Sequence, residues 1–136
     1  MNDKEKLITE IIPILKKEKY IKNKQTWHKE NDDLVIIFNI QNSQYDKNMY
    51  YINLGIIIKK IYMQEYKGYC LSACHVIERI EKETNKGYIF TAEDCINILK
   101  MWEDWYGTLP KLREKAMLNK LPYQTLGYAR TFLTTI

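Results

Sequence analysis

The sequence predicts an α+β fold: an antiparallel meander of about four strands packed with an N-terminal helix and C-terminal helices. Three observations carry this. Apolar residues recur at helical spacing near the N-terminus, from Leu7 to Leu15. Two strongly strand-like runs, Leu34 to Gln41 and Met49 to about Lys59, alternate with period two. A capped, amphipathic helix then opens at Thr91. At 136 residues the chain fits one domain, residues 1–136, able to build its own core.

The first helix starts at Asn2, with Glu5 completing a capping-box pattern. Leu7, Ile8, Ile11, Ile12 and Leu15 form its core stripe, which Pro13 should kink or end early. Thr26-Trp27-His28 begins a short strand and Asn31-Asp32-Asp33 makes a turn. In the next strand Leu34, Ile36, Phe38 and Ile40 share one face, and Val35, Ile37, Asn39 and Gln41 the other. A polar loop, Asn42 to Asn48, leads to the following strand. There Tyr50, Ile52, Leu54, Ile56 and Ile58 are uniformly apolar, opposite Met49, Tyr51, Asn53, Gly55 and Ile57. Each strand thus has one apolar face and one mixed face. Ile61 to Leu71 is a tyrosine-rich connection, and Cys74 to Ile80 fits a strand or a helix by periodicity. Glu83 to Gly87 reads as a turn. The helix from Thr91 carries Glu93 and Asp94 in its first turn, then Cys95, Ile98, Leu99, Trp102 and Trp105 as apolar positions. Gly107 ends it, with Pro110 three residues beyond. Leu112 to Leu121 and Thr125 to Leu133 read as helical or irregular around Pro122.

Composition narrows the function classes. The net charge is +4, from 21 Lys and Arg against 17 Asp and Glu, which is weak for a nucleic-acid-binding domain. Lys16, Lys17, Lys19, Lys22 and Lys24 cluster, as a solvated helix end or as a basic footprint. Eleven Tyr against three Phe suit interfaces, or reflect codon usage. The three cysteines, Cys70, Cys74 and Cys95, are an odd number without metal-ligand spacing, so reduced thiols in the cytoplasm are expected. No apolar run approaches membrane-spanning length, and no signal-peptide pattern opens the chain.

Several segments, in order, resemble the bacterial family known as domain of unknown function 4304. They are the N-terminal helix with its Lys-rich end, Thr26-Trp27, Gln41-Asn42-Ser43, Tyr51-Ile52-Asn53-Leu54-Gly55-Ile56, and Cys74-His75-Val76-Ile77-Glu78-Arg79-Ile80-Glu81. The likeness covers roughly the first two thirds of the chain. This chain has Lys19-Tyr20 where the family tends to have Gly-Phe, and Ile77-Glu78-Arg79 where it often has Arg-Gly-Arg. The resemblance implies an α+β fold with Cys74 to Ile80 as a strand. It implies no established activity, and by gene association it suggests an immunity protein.

If residues 74–80 form a strand, His75, Ile77 and Arg79 point one way and Cys74, Val76, Glu78 and Ile80 the other. His75 and Arg79 then join Gln41, Ser43, Tyr51 and Asn53 as a polar surface offering donors to carboxylate or phosphate. The alternative is that Gln41, Asn53 and Arg79 satisfy neighbouring backbone. Trp102, Trp105 and Tyr106 form an aromatic cluster, either core packed on the sheet or an anchor for another protein. Cys74 and His75 diverge on strand or helix, so no Cys–His dyad forms. Paired carboxylates Glu93-Asp94 and Asp32-Asp33 sit at a helix start and a turn. No catalytic set, metal site or cofactor is expected. The expectation is a non-enzymatic protein-binding module, most concretely an immunity protein that neutralises a cognate bacterial toxin. Binding of nucleic acid or a small anion through Lys16–Lys24 and Arg79 is the alternative.

Overall fold

The computed structural model describes residues 2–44, 49–62, 68–80 and 90–135. The first helix, α1, spans Asp3–Lys17. Strands β1 (Ile21–Asn23), β2 (Thr26–Glu30), β3 (Leu34–Asn42), β4 (Tyr50–Ile58) and β5 (Val76–Ile80) follow. Helices α2 (Ala92–Tyr106) and α3 (Leu109–Met117), strand β6 (Gln124–Thr125) and helix α4 (Gly127–Thr134) complete the chain. The strands form one antiparallel sheet in sequence order, β1 to β6. Six strands replace the four expected from sequence. The two that periodicity missed, β1 and β6, are three and two residues long and mostly exposed, so they carry no apolar alternation.

The expected face division holds. Leu34, Ile36, Phe38 and Ile40 of β3, with Tyr50, Ile52, Leu54, Ile56 and Ile58 of β4, join one core with α1, α2, α3 and α4. Asn2 caps α1 by accepting the Glu5 amide, and Thr91 with Asp94 forms a full capping box on α2. Pro13 does not end α1, which runs on to Lys17. Pro13 lies on the exposed side, where the carbonyl it leaves unbonded, that of Thr9, belongs to an exposed residue. Pro110 also differs from expectation. It occupies the first turn of α3, where its missing N–H costs nothing, so α3 begins at Leu109 rather than Leu112. The expected turn at residues 83–87 lies outside the described residues.

The end of α1 explains one departure from the family pattern. Lys19 N–H donates to Lys16 O at 3.0 Å and Tyr20 N–H to Leu15 O at 2.9 Å. This paired closure puts Lys19 in the left-handed region, φ 69°, where glycine is favoured. Tyr20 then buries its ring beside Leu15 and donates its hydroxyl to Glu103 of α2. A phenylalanine there would pack equally but lack that hydrogen bond.

The second face of the sheet is divided. Toward the start of β3 and the end of β4, Val35, Ile37 and Ile57 are covered by Ala73 and Cys74, with Tyr62, Tyr69, Cys70, Leu71 and Ile77 around them. Gly55 makes this cover possible, since a Cβ there would lie 2.4 Å from Cys74 Sγ. The other half carries the polar residues of β2 to β5.

Two stability predictions follow from these contacts. Lys19→Gly should raise the urea midpoint by an amount worth about 1 kcal/mol, because it removes left-handed strain; an unchanged or lower midpoint contradicts that account. Gly55→Ala should destabilise by about 1–3 kcal/mol through overpacking. In a double-mutant cycle Cys74→Ala should recover much of that loss, whereas additive effects would show that the thiol is not the obstacle.

Candidate functional site

One row of residues crosses the open half of the sheet. Thr26 of β2 pairs with Asn39 of β3, Asn39 with Asn53 of β4, and Asn53 with Arg79 of β5. The antiparallel register puts all four side chains on the face opposite the helices. Their hydrogen bonds run in one direction. Arg79 Nε donates to Asn53 Oδ1 at 3.3 Å, Asn53 Nδ2 donates to Asn39 Oδ1 at 3.0 Å, and Asn39 Nδ2 donates to Thr26 Oγ1 at 2.9 Å. Gln41, one alternation along β3, accepts on its Oε1 from Asn53 Nδ2 at 2.9 Å and from Arg79 Nη2 at 3.0 Å. Asn53 is only 2% exposed, so its amide must find such partners or lose its hydration uncompensated.

The row ends in a charged group. The Arg79 guanidinium lies 4.4 Å from the centre of the Tyr51 ring and is solvent-exposed. No carboxylate lies within ion-pair distance of it among the described residues. Gln41, Asn42, Gln44, Tyr51 and Arg79 line a recess of about 210 Å³. The guanidinium is held on one edge and one face, and its remaining donors have no partner among the described residues; their planar geometry matches that of a carboxylate or phosphate.

Of the nine residues singled out from sequence, Gln41, Tyr51, Asn53 and Arg79 come together here. Ser43 closes the β3–β4 ladder by donating its N–H to Met49 O at 3.1 Å, and it does not line the recess. His75 does not join Arg79. It precedes β5 and is 1% exposed. Its Nδ1 accepts from Ile58 N–H at 2.9 Å, and its Nε2 lies 3.2 Å from Ile61 O. These partners require a neutral ring protonated at Nε2. His75 is thus a buried clasp between β4, the turn after it, and Tyr128 of α4, 5.7 Å away edge to face. Cys74 is no nucleophile partner for it, because burial pushes the thiol pKa up and its Sγ faces Cys70 O.

Trp102, Trp105 and Tyr106 sit across the sheet from Arg79, on the helical side. Trp102 and Tyr106 are buried, while Trp105 is 41% exposed with the Lys115 ammonium 4.2 Å from its ring centre. The Trp102 indole N–H is sealed from solvent and has no acceptor among the described residues. That costs about 1–3 kcal/mol, consistent with a ring retained for packing. The aromatic cluster and the Arg79 recess are therefore two surfaces. Sequence reasoning missed Thr26, Asn42 and Gln44 as members of the first; alternation reveals faces, not which polar residues meet across strands. It also missed Glu78, whose signal was a lone carboxylate in a row with Val76 and Ile80.

Among the described residues no group of three or more His, Cys, Asp and Glu is arranged to hold a metal ion. None of the described helices is long and apolar enough to cross a membrane.

Burial pushes the His75 pKa below its ordinary 6.5. The unfolded chain then binds more protons than the folded one below that value, so stability present above pH 6.5 should drain away as pH falls. His75→Ala should cost about 2–5 kcal/mol at pH 8, by stranding two backbone groups and opening a cavity. It should also flatten the loss of urea stability between pH 8 and pH 5.5. A variant with the wild-type slope would remove His75 as the source, leaving His28, which burial also shifts down.

No curated protein and no solved structure matches the chain. A family model described as a domain of unknown function (DUF4304) matches residues 11–104. The match runs from the middle of α1 to near the end of α2 and takes in the whole polar row, Glu78 and Trp102, stopping one residue short of Trp105. With that coverage, well over half of its length, the chain belongs to the DUF4304 family.

Proposed function

We propose that this chain is a non-enzymatic protein-binding module whose recognition surface is the Arg79 recess, and most concretely an immunity protein that neutralises a cognate toxin by direct binding. The observation that carries this reading is the state of Arg79. Its fork is fixed by Asn53 and Gln41 and its face by Tyr51, with no acidic partner among the described residues. Arg and Tyr are the residue types that anchor protein interfaces, and a partner's Asp or Glu side chain matches the open donors. The positive net charge favours a partner with an acidic facing surface. None of Cys70, Cys74 and Cys95 is joined in a disulfide, which suits action in the cytoplasm.

The basic segment Lys16–Lys24 gives little support to nucleic-acid binding through a footprint shared with Arg79. Its lysines are exposed at the end of α1 and on and beside β1, while Arg79 is on β5. Four strand spacings separate β1 from β5, about 19 Å at the usual interstrand distance.

Co-expression with the product of the adjacent upstream gene is the direct test. The two proteins should elute as one complex, and Arg79→Ala should weaken it by about 2–3 kcal/mol, roughly thirty- to two-hundredfold, without losing the fold. Arg79→Lys, which keeps the charge but loses the fork, should recover only part of that. Separate elution of the wild-type proteins sinks the reading, as does a complex indifferent to both substitutions.

A further inference from the structure

The opposite face of β5 carries a second, chemically inverse feature. Glu78 is the residue before Arg79, so it points to the helical side, across from Leu54 of β4. There it lines a cleft of about 250 Å³ between the sheet and α2, walled by Ile80, Ile98, Met101, Trp102, Trp105 and Tyr106. The lining is overwhelmingly apolar and aromatic. Glu78 is half-buried, and its carboxylate makes no hydrogen bond or ion pair among the described residues. The Lys115 ammonium lies 4.2 Å from the centre of the Trp105 ring and forms no ion pair with Glu78.

We propose that this cleft is a binding site for an organic cation with an apolar body, an alkylammonium or alkylguanidinium, with Glu78 as its counter-charge. A carboxylate taken partly out of water without a partner is costly, and a cation brought to it recovers that cost. Burial pushes the Glu78 pKa up, in keeping with a carboxylate that has no cationic partner among the described residues. Aromatic rings present negative faces to a cation, and Met101 and Ile98 suit its alkyl part. An anion is repelled by Glu78, and a neutral apolar ligand leaves its charge uncompensated. Trp102 contributes its ring to the lining, and its buried indole N–H is assigned no role in the site. The site is independent of the Arg79 recess, which lies on the other side of the sheet.

The test is titration of the full chain with n-butylammonium, followed by tryptophan fluorescence, with n-butanol and butyrate as neutral and anionic probes of similar size. Saturable quenching by n-butylammonium is expected, at least tenfold tighter than n-butanol, with no binding of butyrate. Glu78→Gln removes the charge without changing shape, so it should fold and should weaken n-butylammonium at least tenfold. Arg79→Ala should leave the affinity unchanged, which separates failure here from failure of the recess. Equal affinity for n-butanol, or an affinity untouched by Glu78→Gln, overturns the proposal. Nα-acetyl-lysine amide distinguishes the source. Tighter binding than n-butylammonium assigns a protein side chain as the natural occupant, and weaker binding assigns a free amine.

Discussion

The Asn53 carboxamide sits in the middle of β4, between two strands, with almost no access to water. A buried amide without partners costs several kcal/mol less its gains, so the chain has to bring acceptors and donors to it. Asn39 and Gln41 from β3 supply acceptors, and Arg79 from β5 supplies a donor. This requirement fixes the register of three strands together. A slip of one residue in either neighbour would bury Asn39 or Arg79 in the aliphatic core and strand Asn53. The polar row therefore acts as the sheet's alignment key, while the apolar face supplies the bulk of its stability through burial.

The same row explains why the second face is half covered. The segment from Tyr69 to Cys74 packs where Val35, Ile37 and Ile57 present apolar surface and where Gly55 leaves room for a thiol. It stops short of the amides, which are already paired laterally and have no apolar area to offer. What remains open is the recess ending in Arg79. On β5 the alternation of side chains then separates two opposite charges that are neighbours in sequence. Arg79 emerges on the amide face, and Glu78 beneath the aromatic side of α2. Across one strand the pair cannot neutralise itself, and each charge is left facing its own cavity.

Most of the architecture was legible because its signals are periodic. Leu34 to Gln41 and Met49 to Lys59 are strongly strand-like and divide with period two into an apolar and a mixed face, and Asn2 and Thr91 cap their helices as their residue types suggest. The face assignment of Gln41, Asn53 and Arg79 followed from the same alternation, once residues 74–80 were taken as a strand. His75 broke the rule because β5 begins one residue later, at Val76. Outside the strand, its ring is governed by the backbone groups of Ile58 and Ile61 rather than by alternation. Strands β1 and β6 were illegible for a different reason. They pair by backbone bonds supplied by their neighbours, which two or three exposed residues cannot announce. The split of the aromatic cluster from the amide row was equally hidden, since it depends on which face α2 covers, a tertiary choice.

For the recognition surface proposed at the Arg79 recess, much of the ordering cost has been met within the fold. A free arginine side chain carries about 2 kcal/mol of rotamer entropy, which binding must remove. Here two hydrogen bonds and the Tyr51 ring restrict it before any partner arrives. The restraining amides are in turn held by strands whose register depends on them, so the geometry is as stiff as the sheet itself. Preorganisation of this kind raises affinity without adding contacts. Under the proposed reading, a carboxylate would meet donors left over from the Asn53 and Gln41 bonds and already held in one plane.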